Sequence, residues 1–173
     1  TEQDRKLVNV IYANFGKALA AYMRTLVSRN APFDRYVAGD RSAIGSAAKR
    51  GLHTFIAKCN GCHVGAHFSD DAFHALGVPQ TGPRVPATDN GRHQDMPGLL
   101  ASPFNTNSVF SDDVTTGRLT GLVQEDSQRG RFRTTSLRNV ATSGPYMHSG
   151  QFATLEEVVA FYNTGGGVVA RYR

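Results

Sequence analysis

Apolar residues at Leu7, Val8, Ile11, Phe15, Leu19, Tyr22 and Leu26 recur every three or four positions. That spacing predicts one long amphipathic helix over about residues 4–29, ended by Asn30 and Pro32. A second helical pattern starts at Ser42, a good N-cap, and carries Ile44, Ala48, Leu52, Phe55 and Ile56 into Cys59. Residues 77–121 then hold five of the seven prolines and six glycines and follow no period. A loop of that length inside a compact domain is usually wrapped around something. The stretch Leu122–Arg133 is polar and turn-rich. Thr154-Leu155-Glu156-Glu157 forms a capping-box pattern, so a last helix is expected over 155–163, ending near Gly165-Gly166-Gly167. There is no internal repeat and almost no strand pattern. The expected fold is mainly α with long loops.

Composition narrows the function classes. The 173 residues suffice for one domain, and 40% hydrophobic with 19% charged residues is ordinary for a globular chain. No apolar run approaches the roughly 18 residues that a membrane-spanning helix needs. Nineteen Lys and Arg against 14 Asp and Glu give a net charge of +5, but the charges are scattered, with no basic run of the kind that reads as a nucleic-acid patch. The chain opens on Thr1-Glu2-Gln3 and closes on Arg171-Tyr172-Arg173, which leads us to expect a processed form or a fragment of something longer. So few regular elements around so long a loop call for a staple. The two cysteines stand three apart, where a disulfide would close almost no loop, so a cofactor is the expected staple.

Cys59-Asn60-Gly61-Cys62-His63 fits C-x-x-C-H, the attachment signature of c-type haem. Two thiols at this spacing add across the vinyl groups on one edge of a porphyrin, and the following His reaches the iron as proximal ligand. Asn60 and Gly61 suit the tight path, and Phe55 and Ile56 would pack near the macrocycle. Zinc held by Cys59, Cys62, His63 and His67 is an alternative, but zinc domains rarely carry so much apolar loop around one knuckle. A redox-active cysteine pair would want a βαβ setting that is missing from the pattern. Covalent haem implies assembly outside the cytoplasm, which makes the periplasm the expected compartment.

Longer stretches carry a resemblance. Lys58 through His63 followed by Phe68-Ser69-Asp70-Asp71-Ala72-Phe73-His74-Ala75-Leu76-Gly77-Val78-Pro79, Gly130-Arg131-Phe132-Arg133-Thr134-Thr135-Ser136-Leu137-Arg138-Asn139-Val140-Ala141, Gly144-Pro145-Tyr146-Met147-His148-Ser149-Gly150 and Thr154 through Asn163 occur in that order. Together they resemble the second haem domain of bacterial di-haem cytochrome c peroxidases, closest to the MauG-like branch. The resemblance spans residues 50–167. It implies a c-type cytochrome domain over 39–173, its loops wrapped around one covalently bound haem. Residues 1–38 resemble the end of the family's first domain and its linker. Family members carry two C-x-x-C-H motifs, and this chain has one and no tryptophan. It therefore looks like the electron-transfer half of a peroxide-dependent oxidoreductase, without the peroxidatic half and not competent alone. The competing reading is a stand-alone mono-haem electron carrier. The implied partners are the missing first haem domain and a small periplasmic donor, a cytochrome c or a copper protein.

A second axial ligand is expected from Tyr162, Met147, Met96 or the remaining histidines. Tyr162 follows Leu155, Val158 and Val159 by seven, four and three residues, on the apolar stripe of the last helix. The resemblance puts it where the MauG-like branch has an axial Tyr and other members an axial Met. Met147 is the alternative ligand, and Met96 is expected to pack or lie exposed. Arg133 and Arg138 are candidates to pair with haem propionates. His148 resembles a position between the two haems. His53, His67, His74 and His93 are read as structural. The resemblance also implies a calcium ion between the domains, bound by backbone oxygens at Ser143 and Pro145 and by a side chain of the first domain, so that any site in this chain is incomplete.

Overall fold

The computed structural model describes residues 1–167. Five helices are its main regular structure: α1 (Glu2–Met23), α2 (Pro32–Val37), α3 (Ser46–Lys58), α4 (Met96–Ala101) and α5 (Leu155–Asn163). Single 3-10 turns occur at Val114–Thr116, Asp126–Gln128 and Val140–Thr142. The only sheet among the described residues pairs β1 (Phe73–His74) antiparallel with β2 (Phe132–Arg133), with Phe73 opposite Arg133 and His74 opposite Phe132. Mainly helical with little sheet is the class expected from the pattern. No helix among the described residues is long and apolar enough to cross a membrane.

The chain divides into two compact units. One consists of Thr1–Val27 with Asp95–Gln124; the other takes Ser28–Gln94 with the chain from Glu125 onward. The chain passes between the units at three points, after Val27, Gln94 and Gln124, so part of the long loop gathers with the first helix.

In the first unit, α1 starts from a reciprocal cap: Thr1 Oγ1 accepts from Asp4 N at 3.2 Å, and the Asp4 carboxylate accepts from the Thr1 ammonium at 2.9 Å. The helix ends at Met23 instead of 29. Thr25 closes it, its hydroxyl donating to Tyr22 O at 2.7 Å and so satisfying a terminal carbonyl. Much of the apolar stripe is open, with Ile11 60% and Phe15 63% exposed. The loop contributes Phe104, which lies edge-on to Tyr12 and stacks on Phe110. Lys17 pairs with Asp112. Met96 was expected in a loop, packing or exposed; it opens α4 and is 1% exposed.

In the second unit, α2 begins with Pro32, and Asp34 accepts from Ala31 N at 2.9 Å. Ser42 does not cap α3. Its amide and hydroxyl both donate to Asp40 Oδ1, at 3.0 and 2.6 Å, closing a separate turn, and the helix starts after Gly45. α5 runs as predicted: Thr154 Oγ1 accepts from Glu157 N, and Glu157 accepts from Thr154 N. A parallel bridge joins Gly91 to Arg131. Gly91 sits at φ +59°, and a Cβ there would lie 2.4 Å from Arg131 O, so only glycine fits.

Candidate functional site

The C-x-x-C-H segment is wound as a continuation of α3. Cys59 N and Asn60 N both donate to Phe55 O, at 2.8 and 3.0 Å. Cys62 N and His63 N both donate to Cys59 O, at 3.2 and 2.9 Å. Both cysteines are free and half-buried. Burial pushes the Cys62 thiol up, and the nearby Asp70 carboxylate adds to it.

His63 is oriented by the loop that follows it. Phe68 N donates to Gly65 O and Ser69 N to Val64 O, so the chain doubles back on itself. Phe68 adopts φ +52°, and its carbonyl lies 2.8 Å from His63 Nδ1. A carbonyl only accepts, so Nδ1 carries the proton, and in the neutral imidazole Nε2 then keeps its lone pair. This is the tautomer that a metal-ligating imidazole requires, and the bond to a backbone carbonyl is the usual way of fixing it.

Asp70 N donates to Cys62 O at 2.8 Å, and the Asp70 side chain accepts from Ala72 N at 2.9 Å and lies 2.8 Å from His74 Nε2. The amide of Ala72 chiefly, with His74 in support, holds the Asp70 carboxyl down at about 2. His74, read as structural, is thus the partner of a carboxylate one turn of chain from the cysteines. The zinc set Cys59, Cys62, His63 and His67 is not assembled. The one group of three or more ligating side chains among the described residues is Cys62, Asp70 and His74, all within 4.8 Å. Three donors fall short of the four of a structural zinc site, and a Cys62 thioether would remove the thiolate.

A carboxyl with a depressed pKa stabilises the fold above its unfolded value and stops doing so as pH falls through its folded value. Asp70 should therefore contribute fully above about pH 4 and progressively less down to about 2. Urea midpoints of the wild type should fall between pH 5 and pH 2.5, and Asp70→Asn should fall less steeply. Parallel curves for the two proteins would remove Asp70 from the account.

Tyr162 stands in the last turn of α5. Partial desolvation raises its pKa, and the charges of Cys59 and Cys62 raise it further. The inward face of α5 is shifted from the expected one. Leu155, Val158 and Phe161 are half-buried, whereas Val159 is 66% and Tyr162 44% exposed. Met147, at φ +67°, lines a different cleft of about 470 Å³ with Arg84, Val85, Pro145 and His148. His148 stacks flat on Phe132 at 3.5 Å, with Nε2 3.4 Å from Asp89 Oδ2. Burial lowers its pKa, and Asp89 partly offsets this.

Both arginines are engaged by protein carboxylates, so a propionate would have to share them. Arg133 donates to Asp71 at 2.6 Å in an exposed pair. Arg138 donates to both oxygens of Asp34, at 2.9 and 2.8 Å, in a half-buried pair, and its Nε donates to Ala66 O at 2.9 Å. The Arg138 bonds hold the Asp34 carboxyl below the usual range. Ser143 lies in the turn before the cis Gly144–Pro145 bond, its hydroxyl donating to Val140 O.

The family model for di-haem cytochrome c peroxidase matches residues 5–42. Cytochrome-c peroxidase IdrP1 of Denitromonas iodatirespirans is 38% identical over 172 residues, taking in 87% of this chain and 40% of that protein. Methylamine utilization protein MauG of Methylorubrum extorquens is 40% identical over 151 residues, or 86% of this chain and 34% of that protein. The chain belongs to the di-haem cytochrome c peroxidase and MauG family. A solved MauG-like protein associated with microbial copper homeostasis matches at a TM-score of 0.61 and 28% identity, covering 86% of this chain and 42% of that one. The chain thus spans about two fifths of the length of the relatives it matches. Relatives of this kind are cytochrome c peroxidases and MauG proteins, so the family is one of haem oxidoreductases. Sequence reasoning missed the Phe68 carbonyl, the Asp70–His74 pair and Asp34. Only the i, i+4 spacing of Asp70 and His74 left a readable signal.

Proposed function

We propose that this chain is the electron-transfer haem domain, the second of two, of a peroxide-dependent di-haem c-type oxidoreductase. It would relay electrons or oxidising equivalents to a peroxidatic haem in a first domain outside this sequence. The observation that carries the reading is the His63 Nδ1–Phe68 O bond, made at the exit of a half-buried Cys59–Cys62 turn. These residues fit haem c: two thiols for thioethers, and an imidazole whose Nε2 is left to ligate. Haem supplies one-electron redox chemistry when bound. Phe68 would keep the proton on Nδ1, and Tyr162 would supply the second iron ligand, with Met147 as the alternative. The coverage of the relatives supports a half of a larger enzyme over a stand-alone carrier, with 1–38 as the end of the first domain and 39–173 as the haem domain. A small periplasmic cytochrome c or copper protein is the proposed donor. Ser143 and Pro145 carbonyls would supply part of an interdomain calcium site.

If His63 and Tyr162 both held the haem iron, they would leave peroxide no place to bind. The haem-loaded chain alone should therefore turn over peroxide and a reduced donor at about the level of free haem. Robust, saturable turnover would show an open iron and overturn the assignment of halves. The mass of the native protein separates the other reading: a mature chain of this length makes it a mono-haem carrier.

A further inference from the structure

We infer that Arg138 is a positioning residue that sets the tautomer and orientation of His63 through the loop 64–69. This rests on the reading of His63 as proximal ligand. The loop has to present the Phe68 carbonyl to Nδ1, and it does so with Phe68 at φ +52°, a conformation disfavoured for a bulky side chain. Such a residue stays in place only where its surroundings over-determine it.

Three elements converge to do this. The Phe68 ring packs against Phe33 of α2 at 5.4 Å and against Phe55 of α3 at 6.1 Å. Arg138 supplies the third constraint, with its guanidinium 5.1 Å from the Phe68 ring centroid. The same guanidinium holds Ala66, two residues earlier, through Nε, and is itself held by both oxygens of Asp34 on α2. A planar fork can make these bonds together, while a lysine ammonium is a point donor. Asp34 and Arg138 are 104 residues apart, so the pair also ties α2 to the segment before the Val140–Thr142 turn. Arg129, by contrast, pairs with Asp126, outside the loop 64–69 and its clamp.

A hydrogen-bonded Nδ1–H makes the imidazole a stronger donor to metal. Loosening the loop should weaken that bond, shift His63 away from the Nδ1–H tautomer and raise the reduction potential of the haem-loaded chain. The test reads the His63 tautomer by long-range proton–nitrogen spectra of the haem-free full chain, then the potential after haem loading. Asp34→Asn and Arg138→Gln should each reduce the share of Nδ1–H toward that of free histidine, and the double variant should add little. Arg138→Lys keeps a cation on Asp34 and gives up the bond to Ala66 O, so it should fold and still show the loss. Arg129→Gln, which breaks only the pair with Asp126, should leave both readouts at wild-type values. Folded Arg138→Lys with unchanged tautomer and potential overturns the proposal, even if its stability falls. Failure of the wild type to take up covalent haem would instead sink the proximal-ligand reading, leaving the tautomer result to judge the clamp.

Discussion

Replacing Cys59 and Cys62 together by alanine should abolish covalent haem retention completely. The wild-type chain, made where haem can be attached, should keep its Soret absorbance after denaturation and acid–organic extraction. The double variant should lose it, and either single variant should still hold haem through one thioether. The expectation follows from the turn itself, in which Cys59 O accepts from both Cys62 N and His63 N, so the two sulfurs and the imidazole are fixed by one short helical segment. A second consequence is energetic. Val78 and Met96 are the only buried hydrophobic side chains among the described residues, and Val78 alone belongs to the second unit. Burying one such side chain contributes about 1.5–3 kcal/mol, small against an ordering cost of about 1–2 kcal/mol per residue. The double variant should therefore melt below the haem-loaded wild type by more than about 5 °C, on the roughly 2–4 °C per kcal/mol of a chain of 150–250 residues. Equal melting temperatures, or stoichiometric zinc in place of haem, would overturn the haem reading.

What was legible in the sequence was whatever chemistry is local in the chain. The capping box at Thr154 and Glu157 needs only residues three apart, and α5 appears where the pattern puts it. Cys59-Asn60-Gly61-Cys62-His63 is likewise contiguous, so the motif is visible without the fold. The failures have physical causes. Asp40 competes for the amide and hydroxyl of Ser42, and so α3 starts later than its best-looking cap. α4 is six residues of Met-Pro-Gly-Leu-Leu-Ala, too short for a period and carrying both helix breakers. Strands of two residues have no alternation to find. In the site, the acceptor for His63 is a backbone carbonyl, which leaves no mark on residue type. The arginines show the same limit from the other side. Their carboxylate partners lie 62 and 104 residues away in the chain, where no local pattern reveals them.

Tyr162→Phe should raise the reduction potential of the haem-loaded chain by on the order of 100 mV, a modest share of the roughly 0.8 V that axial ligation commands. The argument turns on the charge of the phenol. A free tyrosine titrates near pH 10, and in the haem-free chain burial and the two thiols push Tyr162 higher still. It ionises at neutral pH only beside a strong positive charge, which ferric iron supplies, as bound metals do for their ligands generally. The anion then stabilises the ferric state, and removing the oxygen removes that stabilisation. Phenylalanine keeps the ring against Phe161, where the centroids are 5.3 Å apart, so the fold should survive with little change in melting temperature. The ferric spectrum should move toward a five-coordinate or water-bound form. Met147→Leu should leave both readouts alone, because Met147 lines the cleft of Arg84 and His148. If Met147→Leu shifts spectrum and potential while Tyr162→Phe does neither, the distal ligand is the thioether. The domain is then a high-potential relay for incoming electrons, not a partner that shares oxidising equivalents.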